Sequence, residues 1–225
     1  GWIAAASALA SEQAGDPPHV ILLPEVPLDE ARFLSRVKQS VEDYGYCVVV
    51  VSEGVRTQDG KFLADQGTRD AFGHMQLGGV APSIAAMIKN ALGYKYHYAI
   101  ADYLQRAARH IASATDVEQA YALGRAAVEF AVAGKNAIMP TIVRESDAPY
   151  RWHIGEVPLE QVANVEAKMP ASFIDDSGFF VTEACLRYLR PLIAGEDYPP
   201  FRNGLPDYAR LKGQLVAKRL PPFAG

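Results

Sequence analysis

The chain is poor in cysteine, with two among 225 residues. Cys47 lies inside an apolar run and Cys185 inside an apolar helical pattern, so both read as small buried hydrophobes in a reducing compartment, not as a disulfide pair. Charge of one sign is not in excess either: 22 Lys and Arg against 26 Asp and Glu give a net charge of −4. That balance argues against nucleic acid or an anionic membrane as the main partner. Long hydrophobic runs are absent. The apolar opening GWIAAASALA falls far short of the roughly 20 residues that span a bilayer, and it lacks the basic region of a secretory signal. Its alanines suit a close-packed helix, and a helix that starts without a cap gives the expectation that the chain begins inside a larger, cytoplasmic protein. The five histidines (19, 74, 97, 110 and 153) show no metal-ligand spacing. Gly73-His74 with Gly78-Gly79 is neither GxGxxG nor a P-loop, and Ser52 in a bare Ser-Glu-Gly is no nucleophile elbow.

What is present is ordinary globular composition, 49% hydrophobic and 21% charged, enough for one sizeable core. The organising stretch is Cys47 to Gly54, CVVVVSEG. Five apolar residues, four of them β-branched, read as a strand buried on both faces, as in a parallel sheet. Glu53 follows where the strand surfaces, the end at which open α/β sheets collect ligands. A carboxylate there can accept hydrogen bonds from hydroxyl groups.

Around it the elements alternate. His19 to Leu23 reads as a second buried strand after an Ala-Gly-Asp-Pro-Pro turn. Leu28 to Tyr44 has helical spacing of Ala31, Phe33, Leu34, Val37 and Val41, with Asp29 as cap and Gly45 as stop. Strand, helix, strand implies a parallel pair. Residues 55–79 lose periodicity and read as a long surface excursion. A helix follows over 82–92, then a strand over 94–100 in which aromatic and polar residues alternate. Thr115 to Glu118 reads as a capping box for a helix whose apolar stripe is Val117, Ala120, Tyr121, Gly124, Ala127, Val128 and Ala131. Residues 136–143 and 150–154 suit a hairpin, 157–160 the start of a short helix, and 179–194 a helix broken near Pro191. The tail from Gly195 is expected to lie over the surface. The fold class expected is α/β: a mostly parallel sheet flanked by helices in three layers, Rossmann-like, with residues 1–225 forming part of one domain.

Tyr103 and Arg106 stand three residues apart just after the 94–100 segment, so a helical turn would place them on one face. A phenol hydroxyl plus a guanidinium fork can hold a phosphate. The same spacing also occurs on plain surface helices, and Lys95 and His97 read as exposed strand residues.

Together PEVP (24–27), VVVVSEG (48–54), the Asp70-x-x-Gly excursion, DYLQR (102–106), AYALGRAAVEFAVAG and the closing GEDYPPFRNGLPDYARLK resemble the phosphofructokinase family, most closely its pyrophosphate-dependent bacterial branch. The resemblance covers the carboxyl-proximal half of that family's domain. It implies that Glu53 matches the glutamate that binds fructose 6-phosphate. It implies likewise that Tyr103 and Arg106 match a Tyr-x-x-Arg segment that holds the 6-phosphate, with Leu104 and Gln105 between them contributing through backbone or packing. Gly73-His74-Met75-Gln76 fits the family's His-x-x-Arg segment superficially, but Leu77 stands where Arg is needed, and the Ala-Thr-Asp helix entry follows DYLQR instead.

The departures matter as much. The family's glycine-rich donor loop, its Mg²⁺-binding aspartate and its Thr-x-Asp segment with the catalytic base have no counterpart in these residues. No catalytic or metal-binding residue is therefore assigned, and the segment alone is expected to be inactive. The resemblance implies a reversible phosphotransferase of glycolysis and gluconeogenesis that takes fructose 6-phosphate and pyrophosphate with Mg²⁺, acting as a homodimer or other homo-oligomer. An ATP-dependent phosphofructokinase, a non-catalytic sugar-phosphate-binding subunit and a ligand-free structural domain are the alternatives.

Overall fold

The computed structural model describes residues 1–63, 79–104, 110–215 and 217–219, and the backbone of Asp65–Arg69 and Met75–Leu77. Its centre is a parallel pair, β1 (Val20–Leu22) and β2 (Val49–Val51), in the register Val20 to Val49, Ile21 to Val50 and Leu22 to Val51. Between them runs α2 (Glu30–Tyr44). Asp29 caps it by accepting a hydrogen bond from the Arg32 amide, and Gly45 ends it at φ +82°. The strand–helix–strand reading therefore holds.

Alternation along β1 builds the layers. Val20 and Leu22 point to one side, where they meet Phe33 and Val37 of α2 and Val80 and Ile84 of α3 (Val80–Leu92). Ile21 and Leu23 point to the other, against Ala4, Ala5 and Ala8 of the opening helical segment, α1 (Trp2–Ala6) and the 3₁₀ turn Ser7–Ala10, and against Cys185 and Leu189. Small alanines let that helix lie close to the sheet. The fold is α/β and Rossmann-like, with helices on both faces of the parallel pair.

Several expectations are corrected. The doubly buried strand is β1, whereas Val49, Val50 and Val51 of β2 are each half-buried, because the outer edge of β2 has no strand beside it among the described residues. The 55–79 excursion contains an antiparallel hairpin, β3 (Asp65–Arg69) with β4 (Met75–Leu77). Residues 94–100 form no strand. Tyr96 and Tyr98 still stack, with centroids 6.3 Å apart, but a strand needs a neighbour to complete a ladder.

The long helix α4 (Ala114–Val132) is capped not by Thr115 but by Ser113 of β5 (Ala112–Ser113), whose hydroxyl accepts from the Asp116 amide at 3.2 Å. Its rotation differs from expectation. Ala114 N and Thr115 N donate to Gly195 O and Ala194 O at 3.1 and 3.2 Å, and Gln119 donates to the Tyr150 hydroxyl at 2.7 Å. These bonds turn Gln119 and Ala126 inward. The expected stripe at Ala120, Tyr121, Gly124, Ala127, Val128 and Ala131 faces outward, with Tyr121 77% exposed.

The carboxyl-proximal part is antiparallel. β6 (Ile138–Asp147) and β7 (Tyr150–Pro158) form the expected hairpin, longer than predicted and shifted in register between Arg144 and Ser146. α5 (Leu159–Val162) follows. The helix expected from residue 179 starts later, as α6 (Glu183–Leu189) with Thr182 as cap, and continues as a 3₁₀ turn over Arg190–Ile193. Phe179 instead lends its carbonyl to Ile21 N at 2.7 Å, on the side of β1 away from β2. β8 (Glu196–Asp197) pairs with β5, and beyond it the small hairpin β9 (Phe201–Arg202) and β10 (Leu205–Pro206) is exposed. Cys185 is buried and Cys47 half-buried, both with free thiols.

Candidate functional site

A cleft of about 1220 Å³ opens along the outer edge of β2. Val48 to Glu53 form one bank, Tyr94 to Asp102 the other, Val80 and Ile84 of α3 line it, and Gly1 and Trp2 lie at one end. Glu53 stands where the sequence placed it, in the turn just past the carboxyl end of β2, exposed and lining the cleft. The turn is held close to the core: Ser52 N donates to Leu22 O at 3.0 Å and Val55 N to Ser52 O at 3.2 Å. Gly54 packs against Pro24, where an added Cβ would meet the proline ring at 3.0 Å.

On the far bank Asp102, at φ +44°, turns the backbone, and Leu104 N closes that turn on Ala101 O at 2.8 Å. Asp102 lines the cleft, and Tyr103 and Leu104 follow it, 70% and 63% exposed. The cleft lining thus includes Glu53 and Asp102, the residue before the Tyr-x-x-Arg segment, but not Tyr103 or Leu104. Gln105 and Arg106 lie outside the described residues, as do Gly73 and His74 of the competing motif.

Two side chains set aside in the sequence, Lys95 and His97, line the cleft on the bank facing Glu53. Either could pair with an anion, and their alternation with Tyr94, Tyr96 and Tyr98 was the only signal for them. Ser52 also lines it, its hydroxyl accepting from the Gly1 amine at 3.2 Å. Cys47 contributes a thiol whose pKa burial pushes up, against smaller lowering effects of a Ser40 hydrogen bond and the Arg36 guanidinium. The mixture of hydroxyl, carboxylate and cationic groups over an apolar floor suits a polar, anionic small molecule at the rim. Among the described residues no three His, Cys, Asp or Glu side chains are grouped to hold a metal ion.

Residues 1–131 match the family model for phosphofructokinase. The chain belongs to the phosphofructokinase family. The pyrophosphate–fructose 6-phosphate 1-phosphotransferase of Halomonas elongata is 60% identical over 223 residues, covering 99% of this chain and 53% of that protein. The corresponding protein of Methylococcus capsulatus is 62% identical over 220 residues, covering 98% and 52%. Among solved structures, the pyrophosphate-dependent phosphofructokinase of Marinobacter aquaeolei superposes with a TM-score of 0.82 at 59% identity, over 98% of this chain and 52% of that one. The chain spans about half the length of these relatives.

Proposed function

We propose that these residues form the sugar-phosphate-binding half of a pyrophosphate-dependent phosphofructokinase. The reaction passes a phosphoryl group from pyrophosphate to the 1-hydroxyl of fructose 6-phosphate, reversibly. The hydroxyl oxygen bonds to phosphorus, the bridging P–O bond of pyrophosphate breaks, phosphate leaves and a base takes the hydroxyl proton. The observation that carries this is the pair of relatives with that name, at 60% and 62% identity over nearly the whole chain. The cleft supports it in that Glu53 and Asp102, which leads into Tyr103, both line it.

In this reading Glu53 accepts hydrogen bonds from sugar hydroxyls. Tyr103 and Arg106 hold the 6-phosphate, and Leu104 and Gln105 set their spacing. Fixing both ends of the sugar orients the 1-hydroxyl, and orientation with charge stabilisation is the main source of catalysis in phosphoryl transfer. Mg²⁺, the base and the donor site belong to the further length that the relatives possess. The protein works in the cytoplasm as a homo-oligomer, without nucleic acid or membrane as partner.

The test uses a chimera in which residues 1–225 replace the matching half of the Methylococcus capsulatus relative. Arg106→Ala in that chimera is expected to weaken fructose 6-phosphate binding by about 10- to 100-fold, the loss of one charge-assisted pair. Unchanged affinity would remove the phosphate assignment. Turnover of the unmodified chimera with ATP but not pyrophosphate would replace the donor.

A further inference from the structure

We propose that Asn203-Gly204, the turn between β9 and β10, is a site of spontaneous covalent modification, at which water converts the Asn203 carboxamide to aspartate and isoaspartate through a cyclic imide. The reaction needs a side-chain amide, a following backbone N–H that holds no hydrogen bond, and room for the two to meet. Of the four asparagines, at 90, 136, 164 and 203, only Asn203 has all of these. Ala91, after Asn90, lies inside α3, where the helical ladder engages its N–H. Ala137 N donates to the Asn136 side chain itself at 2.9 Å. Val165 N, after Asn164, donates to Val162 O at 3.2 Å. Gly204 N has no backbone partner among the described residues, Asn203 and Gly204 are both exposed, and a Cβ added to Gly204 would meet open space. The Asp59-Gly60 turn, which could close the same ring, is held shut: Gly60 N donates to Thr57 O at 3.0 Å.

The Gly204 nitrogen passes its proton to hydroxide and bonds to Asn203 Cγ. The Cγ–N bond of the carboxamide breaks, and ammonia leaves with a proton taken from water. The succinimide ring so formed then adds water at one of its carbonyls. Opening at Cγ restores the original peptide bond and leaves aspartate; opening at the backbone carbonyl carbon routes the main chain through Cβ and Cγ and leaves isoaspartate. Nothing is oxidised or reduced, and water is the only co-reactant. The turn discriminates between the products. Asn203 and Gly204 stand at φ +51° and +80°, the left-handed pair that both Asn-Gly and Asp-Gly favour in a two-residue hairpin turn, so aspartate keeps it. Isoaspartate lengthens the main chain within the turn, which disturbs the pairing of Leu205 with Arg202 and Pro206 with Phe201 and pulls on the bond from Asp207 N to Pro200 O at 2.8 Å. Either acid adds a negative charge beside Arg202, whose guanidinium already pairs with Asp207.

The test is peptide mapping by mass spectrometry of the chimera described above, held folded in mildly alkaline buffer. Asn203 should lose its amide at least about tenfold faster than Asn90, Asn136 or Asn164, because the N–H groups that follow those three must first open. A species lighter by ammonia should precede the acid, and chromatography should then resolve aspartate from isoaspartate. In the isoaspartate fraction the Asp207 amide should exchange with solvent at least about tenfold faster than in the unmodified protein, whereas Asn203→Asp should leave that rate unchanged. An Asn203 amide that persists as long as the other three overturns the proposal, as does acid formed without isoaspartate, the signature of direct hydrolysis. Equal Asp207 exchange in the two acid forms overturns the discrimination by the turn. Residues 1–225 alone give the same comparison should the chimera fail to fold. No readout depends on sugar-phosphate binding, so the result stands whatever Arg106 does.

Discussion

Cys47 shows how one side chain reports its surroundings. It sits half-buried on the cleft wall, and burial raises its thiol pKa above the ordinary 9.0. Burial raises that of Cys185, on α6 in the core cluster with Ala5 and Ile21, in the same direction. A raised pKa means that the folded chain holds the proton more tightly than the unfolded one. Its stabilising effect is therefore full below about pH 9 and declines as pH rises beyond it. At pH 8, where only thiolate reacts, both cysteines are expected to be alkylated by iodoacetamide more slowly than free cysteine, Cys185 the slower because it is fully buried. Equal rates for Cys47 and free cysteine in a mass-spectrometric time course would contradict this. Other single residues were plain from sequence. Asp29 and Gly45 bracket α2 as their chemistry requires, and Glu53 ends its strand in a turn at the surface. Ser113 was missed as a cap because Thr115 and Glu118 also satisfy the capping pattern, and only the bonds to Ala194 and Gly195 choose between them.

At the scale of elements, periodicity located helices well and their faces less well. The spacing of Phe33 and Val37 identified both α2 and its buried side, because a strongly amphipathic helix has one way to face a core. The α4 sequence spreads Asp116, Glu118, Arg125 and Glu129 among its apolar residues without one clean polar face, so its rotation was left to its anchors. Gly195 is one of them: it sits at φ +73°, accepts from Ala114 N, and an added Cβ would lie 2.9 Å from the Ala114 Cβ. Gly195→Ala combines left-handed strain of about 1–2 kcal/mol with a clash that no flexible side chain can relieve. It is expected to lower the unfolding free energy by at least about 1–2 kcal/mol, read from the denaturant midpoint, while Gly213→Ala, in the exposed tail with open space around its Cα, should change it by less than about 0.5 kcal/mol. Similar effects from both would mean that the α4 junction is not so constrained.

Across the whole molecule, apolar surface is distributed unevenly. The core on both faces of β1 is well filled, yet the outer face of α4 exposes Tyr121, Val128 and Val132. Scattered exposed apolar residues are ordinary; a contiguous face is not. Residues 1–225 alone are expected to bind the apolar dye ANS, and Tyr121→Lys with Val128→Lys should reduce that fluorescence by about half without shifting the thermal midpoint by more than a few degrees. An unchanged signal would place the dye elsewhere, in the cleft beside β2.

The sequence by itself determined what depends on neighbours along the chain: where the main helices run, the cap and stop of α2, the parallel β1–β2 pair implied by its crossover, and the resemblance that led to the phosphofructokinase family. Tertiary structure decided what depends on partners distant in sequence. It set the rotation of α4, fixed by backbone bonds to Ala194 and Gly195. It left β2 half-buried and residues 94–100 without a strand partner among the described residues, because a strand becomes one only when another edge meets it. It also joined Glu53 and Asp102 across one cleft, since carboxylates 49 positions apart share a site only when the chain between them folds back.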